Sequence, residues 1–106
     1  MIKKICIKLE YNTYCLWLYN ENDEVVDNDN PPEWDDDEKL TAAFMAVSDL
    51  YDSFFIDTDK EFKYIGPSNE EDIVKLQDLF KTAMLILEEK NNGKYTIQND
   101  VSFDSL

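Results

Sequence analysis

The chain contains no histidine and no arginine, and only two glycines, three prolines and two cysteines among 106 residues. Without histidine it lacks the side chain that most often serves as general base, activates a nucleophile or binds a transition metal. Without arginine it has no bidentate clamp for phosphate. Gly66 and Gly93 stand alone, so no glycine-rich phosphate loop can form. Positive charge is scarce: 10 lysines face 24 carboxylates, a net charge of −14. A field of that sign repels nucleic acid and anionic membrane over a Debye length of about 8–10 Å, and it draws basic proteins or cations. No stretch approaches the roughly 18 consecutive apolar residues of a membrane helix. The opening Met-Ile-Lys-Lys returns to charge at Lys8 and Glu10, too soon for a secretory signal. The expectation is a cytoplasmic, non-enzymatic chain with no catalytic residue, cofactor or metal site. Its arginine-free, lysine- and asparagine-rich usage is compatible with an AT-rich bacterial or phage genome.

Apolar residues make up 43% of the chain, which is enough for one globular domain over 1–106 rather than a disordered acidic segment. Lys3 to Glu10 alternates, with Ile5, Ile7 and Leu9 on one face, and reads as a half-buried strand. Thr13 to Tyr19 is apolar on both faces and reads as a more central strand paired antiparallel with the first. The turn at 20–23 then leads to a short third strand over Glu24 to Asp27. Cys6 and Cys15 fall in adjacent strands and read as small buried apolar residues. A disulfide would require them to be directly opposed.

Pro31 and Pro32 exclude a helix or central strand from 28–35, making 20–38 an acidic loop. A first helix runs from the Asp35–Asp37 caps to about Phe55, with Leu40, Ala43, Phe44, Val47, Leu50, Tyr51 and Phe54 as its core stripe. Phe62 to Ile65 is a candidate short strand. Ser68 and Glu71 form a capping box for a second helix reaching about Lys90, whose face of Ile73, Leu76, Phe80, Ala83, Met84 and Leu87 is widened by Leu79 and Ile86. A last strand spans Lys94 to Gln98, and 99–106 is a tail. The expected fold class is α+β: one antiparallel sheet of about four to five strands on two α-helices, as a single pair of layers.

Glu21 to Glu38 holds ten carboxylates and no basic residue. Part of this cluster has a structural explanation, because acids at 35–38 complement a helix N-terminus. Trp34, ringed by Glu33, Asp35, Asp36 and Asp37 behind two prolines, is either tucked onto the core or presented as an aromatic anchor whose surrounding charges steer a basic partner. Asp29, Glu33, Trp34, Asp35, Asp36 and Asp37 are therefore the expected partner-binding residues. Calcium loops fit poorly. Asp57, Asp59 and Glu61 start like an EF-hand, yet Phe62 stands where glycine is needed and Ser68 where the bidentate glutamate belongs. The Asp27–Asn30 run lacks both features as well. No pair of carboxyls separated across a cleft, as glycoside hydrolysis requires, is visible.

The Asn-Pro-Pro-Glu-Trp-Asp-Asp-Asp loop of residues 30–37, set after an N-terminal hairpin and before a long helix, resembles the small acidic immunity proteins of bacterial polymorphic toxin systems. The resemblance rests on size, charge and layout over the whole chain rather than on a motif. It implies a cytoplasmic α+β inhibitor that masks the active site of a cognate toxin. Two alternatives are a phage-type nucleic-acid mimic, which would spread carboxylates at phosphate-like intervals over one face, and a passive acidic regulatory module whose charge serves only to keep it dispersed.

Overall fold

The computed structural model describes residues 1–67 and 69–103. Its elements are strands β1 (Ile2–Ile7), β2 (Leu16–Asn20) and β3 (Val25–Asp27), a 3-10 turn at Pro32–Trp34, helix α1 (Glu38–Asp52), strands β4 (Phe55–Asp57) and β5 (Phe62–Tyr64), helix α2 (Glu70–Asn91) and strand β6 (Thr96–Asn99). Ile5, Ile7, Leu16 and Leu18, each at most 1% exposed, line one face of the main sheet. They pack against Leu40, Phe44 and Val47 of α1 and Leu76, Phe80, Ala83 and Leu87 of α2. Both helices thus cover the same face, as their apolar stripes require.

The main sheet has the order β3-β2-β1-β6, and β4-β5 forms a separate two-stranded sheet. The wholly antiparallel sheet and single pair of layers expected from the sequence are therefore corrected to a mixed α+β arrangement. β1–β2 and β2–β3 are antiparallel, but β6 joins β1 in parallel, with Ile5 beside Ile97. The cause is α2. Its 22 residues, on the order of 33 Å of helix, carry the chain back across the sheet so that β6 enters from the same end as β1. Asn92 in the left-handed conformation ends α2, and the Asn91 side chain accepts from Tyr95 N and donates to Tyr95 O, fixing the turn into β6.

α1 stops at Asp52, earlier than the expected end near Phe55. Phe55–Asp57 becomes a strand because it pairs with Phe62–Tyr64. Asn69 caps α2, its side chain accepting from Asp72 N at 3.0 Å, so the cap lies one position beyond the expected Ser68–Glu71 box; Ser68 itself lies outside the described residues. The register sets Cys6 opposite Trp17 rather than Cys15, and both thiols are free. Cys15 on the inner face approaches Ser48 Oγ at 3.1 Å, while Cys6 on the outer face donates to Asp100 Oδ2 at 2.9 Å. Burial pushes each thiol up to about 11, consistent with inert, core-type cysteines. In the tail, Phe103 packs edge-on against Phe80 at 5.4 Å.

Candidate partner-binding surface

The acidic stretch is assembled on side chains that bond its own backbone and its neighbours. At its start, Asn20 Oδ1 accepts the N–H groups of Asn22 and Glu24, closing the turn that leads into β3. Two of the turn's carboxylates are already matched: Glu21 lies 3.4 Å from the N-terminal ammonium and Asp23 2.9 Å from Lys4 Nζ. Beyond β3, Asn28 continues the pairing that the backbone abandons. It accepts from Tyr14 N and donates to Tyr14 O and Leu16 O, all within 2.7–2.9 Å.

Asn30 is the central strut, at 4% exposure. Its Oδ1 accepts the Tyr14 hydroxyl at 2.6 Å, and its Nδ2 donates to Thr41 Oγ1 at 2.9 Å, tying the loop to β2's approach and to α1. A buried amide with these partners is fully engaged, which is what makes its burial tolerable. Pro31 is buried beside it, and Pro32 opens the 3-10 turn that swings Trp34 inward.

Trp34 is 8% exposed, belongs to the core cluster and meets Tyr95 edge-to-face at 5.6 Å. Of the two roles open to it from the sequence, the structure gives the core one, and the exposed-anchor role is corrected. The physical reason is that the 3-10 turn opened by Pro32 sets the indole beside Tyr95 and under the Lys90 ammonium, where it removes a large apolar area from water.

Two more of the expected contact residues are also engaged internally. Glu33 accepts from Tyr95 Oη and lies 2.7 Å from Lys94 Nζ; the Lys94 ammonium, then the Tyr95 hydroxyl, hold its carboxyl down to about 2. Asp37 accepts from Leu40 N at 2.9 Å as the cap of α1 and forms an ion pair with Lys90, which keeps it below the usual carboxylate range. Asp29 accepts from Asn30 N at 2.7 Å but forms no ion pair among the described residues. The Asp35 and Asp36 side chains are exposed, and neither carboxylate has a hydrogen bond or ion pair among the described residues; Asp35 only closes the 3-10 turn through its backbone N–H to Pro32 O.

The structure therefore divides the predicted set. Asp29, Asp35 and Asp36 form the outward surface; Glu33, Trp34 and Asp37 hold it in place. Glu38, missed as a contact residue, is exposed at the first position of α1 and joins the outward group. Together with Asp35, Asp36, Asp37, Thr41 and Ala42 it rims a shallow depression of about 370 Å³. Its sequence signal was present, since a carboxylate directly after an N-cap must start the helix and point outward.

Among the described residues no three histidine, cysteine or carboxylate side chains converge as a metal site, and no helix is long and apolar enough to cross a membrane. No protein-family model, curated protein or solved structure matches the chain.

Proposed function

We propose that the chain is a non-enzymatic acidic binding protein that neutralises a cognate bacterial toxin in the cytoplasm, by placing the carboxylates of the 29–38 loop into a basic active-site or substrate cleft. The observation that supports this reading is the division within the loop. Asn30, Pro31, Trp34 and Asp37 anchor it from behind, while Asp29, Asp35, Asp36 and Glu38 stand exposed with no lysine partner among the described residues. A loop already held in one conformation loses little entropy on docking. Unpaired exposed carboxylates supply a field that accelerates encounter with a cationic surface and orients it. A cleft shaped for phosphates receives carboxylates for the same electrostatic reason.

The test starts with capture of the partner by the tagged chain in lysate of its native host, eluted by a salt step. One basic protein that is toxic alone and harmless when co-expressed with this chain supports the reading. A set of unrelated DNA-binding proteins would favour the nucleic-acid mimic, and an empty elution the passive module. With the partner in hand, the variant Asp29→Asn/Asp35→Asn/Asp36→Asn/Glu38→Gln is expected to slow association at least tenfold at low salt and flatten its salt dependence. An unchanged rate and slope would remove the loop from the interface.

A further inference from the structure

A second exposed surface lies beyond the other end of α1. In the β4–β5 hairpin Phe55 stands opposite Tyr64 and Asp57 opposite Phe62, so these four side chains share one face, while Ile56 and Lys63 occupy the other. Phe55 is the hub. Its ring lies 4.9 Å from Tyr11, 5.3 Å from Tyr51, 5.1 Å from Tyr64 and 5.6 Å from Phe62, the last with the planes only 10° apart. Tyr11 also meets Phe62 at 5.0 Å. The rings are fixed from beneath and open above, with Phe62 57% and Tyr64 42% exposed. Single exposed apolar residues are ordinary, but a continuous ledge of interlocked rings marks an interaction surface.

The charges nearest the ledge are negative. Asp57 Oδ2 accepts the Tyr11 hydroxyl at 3.1 Å, and its Oδ1 has no partner among the described residues. Asp52 accepts from Asn12 N at 3.0 Å on the same flank. Burial first, then the hydrogen bond to Asp57 and the fields of Asp57 and Asp52, raise Tyr11 above its ordinary value; burial, then Tyr64, Asp52 and Glu10, act in the same direction at Tyr51. Of the hairpin's lysines, Lys63 points to the opposite face, 3.9 Å from Glu61, and Lys60 sits in the turn between Asp59 and Glu61.

We propose that this ledge docks an arginine-bearing segment of a partner protein, with a guanidinium stacked on Phe62 and Tyr64 and its N–H donors directed to Asp57. A guanidinium is planar, weakly hydrated and attracted to ring faces, and it pairs with a carboxylate through two N–H groups. Charge complementarity selects this occupant over a second copy of the chain, which would bring the Asp52, Asp57 and Glu10 carboxylates of two −14 molecules together. The inference does not depend on the role of the 29–38 loop.

The test titrates the amidated peptide acetyl-Gly-Arg-Gly-Arg-Gly, and its lysine counterpart, into the isotope-labelled full chain while following ring resonances by NMR. The Phe62 and Tyr64 signals are expected to shift, and the arginine peptide to bind several-fold more tightly than the lysine one. The variant Phe62→Leu/Tyr64→Leu keeps the apolar bulk but removes the ring faces, and it is expected to weaken the arginine peptide about five- to tenfold. Should that variant melt early, Asp57→Asn takes its place, with a several-fold loss expected. Shifts confined to 29–38, equal affinity for the two peptides, or an unaffected variant would overturn the proposal. So would a dimer in sedimentation that the Phe62→Leu/Tyr64→Leu exchange dissolves, since the ledge would then belong to a second copy.

Discussion

The two ends of α1 carry opposite solutions to surface design. At its N-terminal end the 20–38 loop is dense in charge yet heavily engaged, because four of its carboxylates, Glu21, Asp23, Glu33 and Asp37, face a cation of the same molecule and its tryptophan is buried. At its C-terminal end the β4–β5 hairpin sets Lys60 and Lys63 against Asp57, Asp59 and Glu61 around three-residue strands, and it leaves Phe62 and Tyr64 half in water. An aromatic surface flanked by carboxylates, one of the two roles open to Trp34 from the sequence, occurs instead at the hairpin. Charge density along a sequence thus measures how much acid must be placed, and the lysines within reach decide how much of it stays free.

If that contrast is right, the largest effect comes from the loop's aromatic residue and not the hairpin's. Trp34→Ala is expected to destabilise the free protein by about 3 kcal/mol or more, lowering the melting temperature by roughly 10–20 °C, because it empties a packed site in the core. Phe62→Ala removes a ring that is 57% exposed and is expected to cost about 1 kcal/mol or less. Equal losses in thermal melts of the two variants would break the distinction.

Asn30→Ala probes the loop's polar anchor. It strips partners from the Tyr14 hydroxyl and Thr41 Oγ1, and a buried polar group left unmatched costs about 1–3 kcal/mol. Urea melts should show a loss of that order. Amide hydrogen exchange should accelerate in residues 28–36 more than in α2, which the change does not touch.

A smaller effect follows from pH. Glu33 in the folded chain is depressed from 4.5 to about 2 by Lys94 and Tyr95. Its contribution is therefore fully present above about pH 4.5 and is lost as pH falls from there toward 2. The side chain is 36% exposed, so solvent screening limits that contribution to about 1 kcal/mol or less. Glu33→Gln should make the melting temperature less steep over that acid window than in the parent chain. Parallel acid limbs would show that the Glu33–Lys94–Tyr95 cluster does not stabilise the fold.

Much of the framework was legible from periodicity. The alternation at Ile5 and Ile7 and the stripes through Phe44 and Phe80 gave the inner faces that the core uses. The parallel placement of β6 was not, because local pattern marks a strand but not the end from which α2 delivers it. β4 was missed because it starts directly after the helical stripe ends at Phe54, and Phe55 suits either period until a partner strand competes for it. For the candidate surface, the acidic residues were visible, but their division into anchors and outward groups depended on Lys90 and Lys94, more than fifty positions away in the chain.

That division makes its sharpest prediction where the expected stability effect is smallest. Asp35 and Asp36 touch no cation and accept no hydrogen bond among the described residues, whereas Asp37 beside them does both. Asp35→Asn/Asp36→Asn should leave folding free energy within about 0.5 kcal/mol of the parent, because an exposed carboxylate without a partner contributes little. Any change should be toward greater stability at low salt, where repulsion with Glu33, Asp37 and Glu38 is least screened, and should fade as salt is added. Asp37→Ala, one residue further on, removes the α1 cap and its Lys90 partner and should cost about 1 kcal/mol. Comparable destabilisation by both variants would mean that Asp35 and Asp36 are structural after all, and the outward face would lose the feature that qualifies it to meet a basic partner.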